Sequence, residues 1–193
     1  MAGPSGLKPR VLAAREKINQ TREKLHARHN QGSPGVQICA AMTDLLDSTL
    51  LDLYEGALDQ LTENIAEREA LQSQLALVPH GGYGRRDMAP YSDVDLMLLY
   101  DPEAIEHITP LAQCFTQDIY DSGLKLGFSA RSIDEACKLS LQDISTFTSL
   151  AESRFLQGSV QLYSRYNKRF RRATRRYRNS LICLLYTSPS PRD

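Results

Sequence analysis

The apolar run VDLMLLY, residues 94–100, constrains the fold of this chain more than any other stretch. A run so rich in large apolar residues is typical of a β-strand that is buried on both faces. Two further segments predict strands: the short apolar run LALVPH, residues 75–80, and the alternating stretch LKLGFSAR, residues 124–131. With 193 residues, 41% of them hydrophobic, the chain is long enough to bury one core around these strands.

Helical patterns precede and follow the predicted strands. In residues 7–30 and again in residues 36–75, apolar side chains recur at helical spacing, which predicts one amphipathic helix and then one or two longer ones. A further helix is predicted to stop at Gly123, and Ser132 and Asp143 are candidate N-caps of two more. The apolar positions of the first helix are Val11, Ala14, Ile18 and Leu25.

This order of elements predicts an α+β fold with a small mixed sheet and helices packed behind it. An N-terminal helical region is expected at residues 1–74, the core at 75–160, and a basic amphipathic helix or connector at 161–180. Residues 181–193 end in TSPSPRD, which closes no domain, and this tail is expected to be non-native or truncated.

Composition excludes several classes of function. Lysine plus arginine and aspartate plus glutamate both number 23, so no overall charge argues for nucleic acid or a membrane surface as a partner. No apolar run approaches the ~18 residues that span a bilayer, and no basic-then-apolar signal pattern opens the chain, so a cytoplasmic location is expected. The four cysteines lack CxxC spacing and are expected to be reduced core thiols: Cys39, Cys114, Cys137 and Cys183.

Two aspartates lie at the start of the apolar run, one just before it and one within it. Asp93 and Asp95 are two residues apart, so in an extended strand both side chains project to one face, while Val94 and Leu96 turn towards the core. Two carboxylates this close repel each other and raise one pKa unless a cation lies between them. Mg²⁺ accepts a few carboxylates together with water and phosphate oxygens, so the pair predicts a magnesium site with Asp93 and Asp95 as ligands.

A glycine-rich segment, HGGYGRR, lies just before the aspartates. Gly81, Gly82 and Gly84 permit positive φ and close backbone approach, so that backbone amides can point at an anion. Ser92 offers a hydroxyl, and Arg85 or Arg86 a guanidinium, for phosphate oxygens. Metal ligands beside a phosphate cradle predict phosphoryl or nucleotidyl transfer, and the absence of a following GKS or GKT excludes a Walker A loop.

The run GGYGRRDMAPYSDVDLMLL resembles the DNA polymerase β nucleotidyltransferase superfamily, and in its longer form the bacterial PII uridylyltransferases, whose pattern is G-G-x-G-R-x-x-x-x-P-x-S-D-x-D-L. The similarity extends through residues 123–159, so that roughly positions 10 to 165 are covered. The resemblance implies a polymerase β-like fold, Mg²⁺ on Asp93 and Asp95, and UTP held by Gly81, Gly82 and Ser92. It also implies a tyrosine hydroxyl of the PII signalling protein as acceptor. Complete family members carry an HD phosphohydrolase domain and two glutamine-sensing ACT domains, which these residues do not contain.

The sequence departs from the family pattern at two positions. Phe128 stands where the family usually has histidine, and Asp87 replaces a more usual glutamate. The superfamily also uses a third carboxylate on a later strand, which LKLGFSAR lacks. Asp143 and Glu152 are the candidates, although a helix cap or a salt bridge is the more ordinary role for each.

Three other interpretations remain open at this level. The first is a related enzyme such as a glutamine synthetase adenylyltransferase, although its serine-rich loop differs from GGYGR. The second is a domain that binds a nucleotide without turning it over. The third is nucleic-acid binding through the basic run at residues 165–178, for which a connector that packs Tyr166, Phe170 and Tyr177 is the favoured alternative. His80 borders the glycines and is either a phosphate contact or a plain surface histidine.

Overall fold

The computed structural model describes residues 6–176, and over this range the chain is an α+β protein with a four-stranded mixed sheet and eight helices. The strand order is β3-β2-β1-β4. The predicted fold class is therefore confirmed at the level of a small mixed sheet with helices. Tyr177 and the predicted tail at residues 181–193 lie outside the described residues.

Three helices form the N-terminal part of the described chain. They are α1 (Pro9–Asn30), α2 (Gly35–Asp59) and α3 (Ile65–Ser73). Proline at the start of α1 suits the first helical turn, where a backbone N–H has no helical partner. Residues 31–34 separate α1 from α2, at the break between the two predicted helical patterns. All four predicted apolar positions of α1 are buried, whereas most of its other residues are exposed.

The sheet is built from strands β1 (Leu75–Pro79), β2 (Val94–Tyr100), β3 (Leu126–Ser132) and the two-residue β4 (Gln157–Gly158). Strand β1 pairs antiparallel with β2 and with β4, while β2 and β3 are parallel. The parallel connection runs through α5 (Ile105–Asp121), as a parallel pair requires a long crossover. Strand β4 is too short to show a sequence pattern, and the sequence did not predict it.

One face of the sheet packs on α1, α2 and α5, and we call it the first face. Here the alternate strand residues Leu75, Leu77, Val94, Leu96 and Leu98 join a single apolar core with these helices. At the centre of this core, the rings of Tyr54 and Phe115 meet edge to face, with centroids 5.5 Å apart.

The other face, which we call the second face, is covered by α6 (Ile133–Ser140), α7 (Ile144–Ala151) and α8 (Val160–Arg176). The sheet residues Ala76, Val78, Met97 and Leu99 pack there. Helices thus lie on both faces, whereas the sequence predicted helices behind the sheet. The apolar run of β2 is buried on both sides for this reason, as its composition predicted.

The basic segment at the end of the described chain is helix α8, which packs on the second face. Tyr166 is 1% exposed and Phe170 is 7% exposed, so the predicted packing side is confirmed for both. Two of its arginines form ion pairs with acidic residues of the body: Arg165 with Asp101 at 2.6 Å and Arg169 with Asp134 at 2.7 Å. The segment therefore covers the sheet.

No helix among the described residues is long and apolar enough to cross a membrane. The three described cysteines, Cys39, Cys114 and Cys137, are free thiols, as predicted, although only Cys137 is fully buried. Cys183 lies outside the described residues.

Candidate active site

The glycine segment is a single helical turn and only partly the loop that the sequence predicted. Strand β1 ends at Pro79, His80 is extended, and Gly81–Gly84 form the short helix α4. Of the three glycines, only Gly81 has a positive φ, at +57°. The expectation of positive φ at Gly82 and Gly84 was wrong, because both lie within the turn.

Each of these glycines has a different surrounding. A Cβ on Gly84 would lie 2.0 Å from the carbonyl oxygen of Glu152, so glycine is needed there for close backbone packing. A Cβ on Gly82 would meet nothing closer than 4.0 Å. The nearest atoms to that position belong to the Arg85 guanidinium and the carbonyl of Asp87, so there is room beside the half-buried Gly82 backbone.

The carboxylate of Asp95 lies between two glycines, one at the start of α4 and one in β3. A Cβ on Gly81 would be 3.0 Å from Asp95 Oδ2, and a Cβ on Gly127 would be 2.7 Å from Asp95 Oδ1. Gly127 is the partner of Asp95 in the parallel β2–β3 register, and the N–H of His80 donates to the carbonyl of Asp95 at 3.1 Å. These glycines leave room for the carboxylate at the end of the sheet.

Asp93 immediately precedes β2 and is exposed, while Asp95 is half-buried on the second face. Burial raises the pKa of Asp95, and the negative charge of Asp93 raises it further. The charge of Asp93 therefore acts on Asp95, although burial contributes more than this repulsion to the raised pKa. A half-buried carboxylate beside a second acid is a suitable ligand set for a divalent cation.

An ion-pair network ties helix α4 to α2. The Tyr83 hydroxyl donates to Asp47 Oδ1 at 2.7 Å, and Arg154 Nη2 lies 2.5 Å from the same oxygen. The Arg154 guanidinium also lies over the Tyr83 ring at 5.0 Å, and its backbone N–H donates to the carbonyl of Pro79. Burial and the adjacent Asp47 raise the pKa of Tyr83, which therefore stays a neutral donor. Asp47 of α2 and Arg154 therefore both anchor this turn.

The two predicted phosphate arginines are paired with acids in this structure. Arg85 forms an ion pair with Glu152, and Arg86 forms ion pairs with Asp44 and Asp47. Both guanidiniums are half exposed, so these pairs can exchange for an incoming anion at modest cost. Ser92 is exposed in the turn before Asp93, and its backbone N–H donates to the carbonyl of Ala89.

Neither candidate for a third carboxylate faces the aspartate pair. Asp143 caps α7, where its Oδ2 accepts from the N–H of Thr146 at 2.6 Å, and Glu152 pairs with Arg85. On β3 the position beside Asp95 is Gly127. Within residues 6–176, no group of three or more histidine, cysteine, aspartate or glutamate side chains could hold a metal ion.

His80, which was expected to be either a phosphate contact or a surface histidine, is half-buried, and Phe128 packs against the apolar core. The His80 Nδ1 and the Ser149 hydroxyl are 2.7 Å apart, and burial together with the nearby Arg131 lowers the pKa of His80 to about 4. His80 is therefore a half-buried, neutral histidine at pH 7. Phe128 packs its ring against Phe115 on the first face, so its side chain points away from the Asp95 side of the sheet.

Sequence reasoning missed three residues that shape the site. Gly127 was part of a recognised strand, but only the register of β2 and β3 shows that it faces Asp95. Asp47 and Arg154 lie far apart in the chain, and no local pattern links them. The weak signal for Arg154 was its place in the family-like stretch at residues 123–159.

Comparison with known proteins identifies relatives of one kind. The chain is 35% identical over 150 residues, 75% of its length, to a bifunctional uridylyltransferase/uridylyl-removing enzyme of Acinetobacter baumannii. It is 30% identical over 165 residues, 84% of its length, to the enzyme of that name from Erythrobacter litoralis, and 29% identical over 169 residues to that of Azospirillum brasilense. The chain spans 16% to 18% of the length of these curated relatives. No protein-family model matches the chain.

Proposed function

Because this chain is homologous to one segment of the bifunctional uridylyltransferase/uridylyl-removing enzymes, we propose that it is a magnesium-dependent nucleotidyltransferase with a polymerase β-like fold. The proposed reaction is transfer of UMP from UTP to a tyrosine hydroxyl of the PII signalling protein in the cytoplasm, with release of diphosphate. The names of the relatives support the nucleotidyltransferase role. The nucleotide, the metal and the acceptor belong to the proposal.

The observation that carries the proposal is the position of the Asp95 carboxylate between Gly81 and Gly127, with Asp93 beside it. Two acids without a third suit Mg²⁺, which fills its remaining positions with water and phosphate oxygens. When bound, the ion would neutralise phosphate charge and lower the pKa of an attacking hydroxyl. Asp93 and Asp95 would hold it.

The remaining predicted residues would bind and orient the triphosphate. Gly82 has room beside its backbone near the Arg85 guanidinium, and Gly81 begins the turn next to the Asp95 carboxylate. The Ser92 hydroxyl is exposed next to Asp93. Arg85 would leave Glu152 for a phosphate oxygen, since a half-exposed ion pair contributes little to stability.

The test uses the isosteric substitution Asp95→Asn in the 193-residue chain, with purified PII, UTP and Mg²⁺. Release of diphosphate is expected to fall by about 100-fold or more, because a charge that acts on the reacting phosphates is lost. The free energy of unfolding is expected to stay the same or rise, because burial and Asp93 both disfavour the carboxylate in the folded protein.

The matched control is Asp52→Asn, which removes an aspartate of α2 whose side chain is 75% exposed. This variant is expected to keep full activity. Magnesium-dependent release that persists in Asp95→Asn would refute the proposed site. A parent chain that binds UTP but releases no diphosphate would favour a nucleotide-binding module without turnover.

A further inference from the structure

A polar cleft opens on the second face of the sheet, next to the aspartate pair. It has a volume of about 190 Å³ and lies between β3, the end of β1 and the start of α7. Six polar residues and one leucine line it: His80, Ser129, Arg131, Ser145, Thr146, Ser149 and Leu150. Apart from His80, for which the sequence left a phosphate contact open, none of these polar residues was assigned a binding role above.

The cleft is continuous with the Asp95 site through Ser149. The Ser149 hydroxyl and Asp95 Oδ2 are both 3.0 Å from the position that a Cβ on Gly81 would take. Along β3, Gly127 faces Asp95, and by strand alternation Ser129 and Arg131 follow on the same side. The four-residue separation of Gly127 and Arg131 corresponds to roughly 13 Å of strand. Because the arginine side chain is long, a ligand that contacts both Arg131 and the Asp95 site would span less than this distance.

Arg131 is the one cation that lines this cleft, and it has no partner within the described part of the chain. It forms no ion pair and no side-chain hydrogen bond there, in contrast to Arg85, Arg86 and Arg154. Arg131 acts electrostatically on Glu135, but that carboxylate is already bonded to Ser132. A half-buried guanidinium without a partner can bind an external anion through its planar fork of donors.

The other lining residues favour a phosphate over a nucleobase. Serine and threonine hydroxyls can donate to phosphate oxygens, and no carboxylate lines the cleft to repel them. No phenylalanine, tyrosine or tryptophan lines it on which a base could stack, and the imidazole of His80 is already bonded to Ser149. The first amides of α7 are already used by Asp143, so the attraction for an anion comes from Arg131.

We propose that Arg131 binds the terminal phosphates of the nucleoside triphosphate and holds the diphosphate as it leaves. This inference rests on the proposed function. In the transfer, the acceptor oxygen forms a bond to the α-phosphorus, and the bond from that phosphorus to the oxygen bridging to the β-phosphate breaks. Diphosphate departs with that oxygen and its electron pair, and the hydroxyl proton passes to solvent. Arg131 contacts the leaving group on the side opposite the acceptor.

The experiment measures binding of three probes to the parent chain and to Arg131→Gln by calorimetry in Mg²⁺: UTP, inorganic diphosphate and UMP. The affinities for UTP and diphosphate are expected to fall by about tenfold or more, since a charge-assisted hydrogen bond is lost. The affinity for UMP, which lacks the terminal phosphates, is expected to stay the same. Arg131→Lys is expected to restore part of the loss, because lysine keeps the charge without the fork.

The matched control is Arg171→Gln, which removes an exposed arginine of α8 and is expected to leave the binding of all three probes unchanged. Equal losses for UMP and UTP in Arg131→Gln would overturn the inference, as would unchanged diphosphate binding. Failure of the proposed function would give a different result: the chain would bind diphosphate through Arg131 but would not transfer UMP. Transfer of UMP that depends on Asp95 but not on Arg131 would support the proposed function and contradict the inference about Arg131.

Discussion

The three helices on the first face and the two eight-residue helices on the second face are stabilised in different ways. On the first face, α1, α2 and α5 are 22, 25 and 17 residues long, and none begins with a side-chain cap hydrogen bond. On the second face, α6 and α7 have eight residues each, and each begins at a side-chain cap. Because a helix this short is marginal by itself, local hydrogen bonds replace the apolar burial that holds the longer helices.

The two faces also differ in polarity along the seven residues of strand β2. The side chains that face α1, α2 and α5 are all apolar and buried, whereas the other side begins with Asp95 and only then continues with Met97 and Leu99. The polar end of the second face remains reachable from solvent. This difference indicates that the first face supplies stability and that the second face can hold a functional site, and four substitutions test this division.

The largest expected effect is on stability, from Phe115→Ala on the first face. Phe115 is fully buried between Tyr54 and Phe128, and its loss is expected to reduce the free energy of unfolding by about 3–5 kcal/mol. Phe147 on the second face is half-buried and stacks on Phe170, with centroids 5.8 Å apart. Phe147→Ala is expected to lose about 1–2 kcal/mol. Chemical denaturation measures both, and equal losses would contradict the division.

The next effect is on activity, from Gly127→Ala at the polar end. The new methyl group would lie 2.7 Å from Asp95 Oδ1, so the carboxylate must turn away. Nucleotidyl transfer is expected to fall by about 10- to 100-fold, while the melting temperature changes little, because the position is exposed. Gly35→Ala is the control, since its Cβ would meet no atom within 4 Å. Full activity in Gly127→Ala would mean that Asp95 can act from another position.

The smallest effect tests the caps, through Ser132→Ala at the start of α6. Ser132 Oγ accepts from the N–H of Glu135 at 3.3 Å and donates to Glu135 Oε2 at 2.9 Å, so its loss is expected to lower the free energy of unfolding by about 1 kcal/mol. Hydrogen bonds from Ser132 lower the pKa of Glu135, so the stability they contribute is present at neutral pH and is lost as the pH falls through that lowered value.

The difference in stability between the parent and Ser132→Ala is therefore expected to narrow as the pH falls below 4.5, the ordinary value for glutamate. Thermal denaturation at a series of pH values measures it. A difference that stays constant into acid would mean that the cap contributes only through the N–H of Glu135.

Much of the fold was predictable because its signals are local. The buried faces of α1, the caps at Ser132 and Asp143 and the glycine stop after α5 all depend on neighbours a few residues away. The adjacency of Asp93 and Asp95 is of the same kind. The cradle of Asp95 could not be predicted, because it depends on the register between β2 and β3. The pairing of Arg85 with Glu152 depends likewise on how α4 packs against α7.

The link from Asp47 to Tyr83 and Arg154 has a practical consequence for anyone who wishes to trim this chain. The turn that carries Gly81 and Gly82 is anchored to the middle of α2, a helix that ends well before β1 begins. A fragment that starts at Leu75 would lose these contacts and would also expose the leucines of β1 and β2 to water. The N-terminal helical region is therefore expected to hold the candidate site in place, and residues 75–160 are not expected to fold without it.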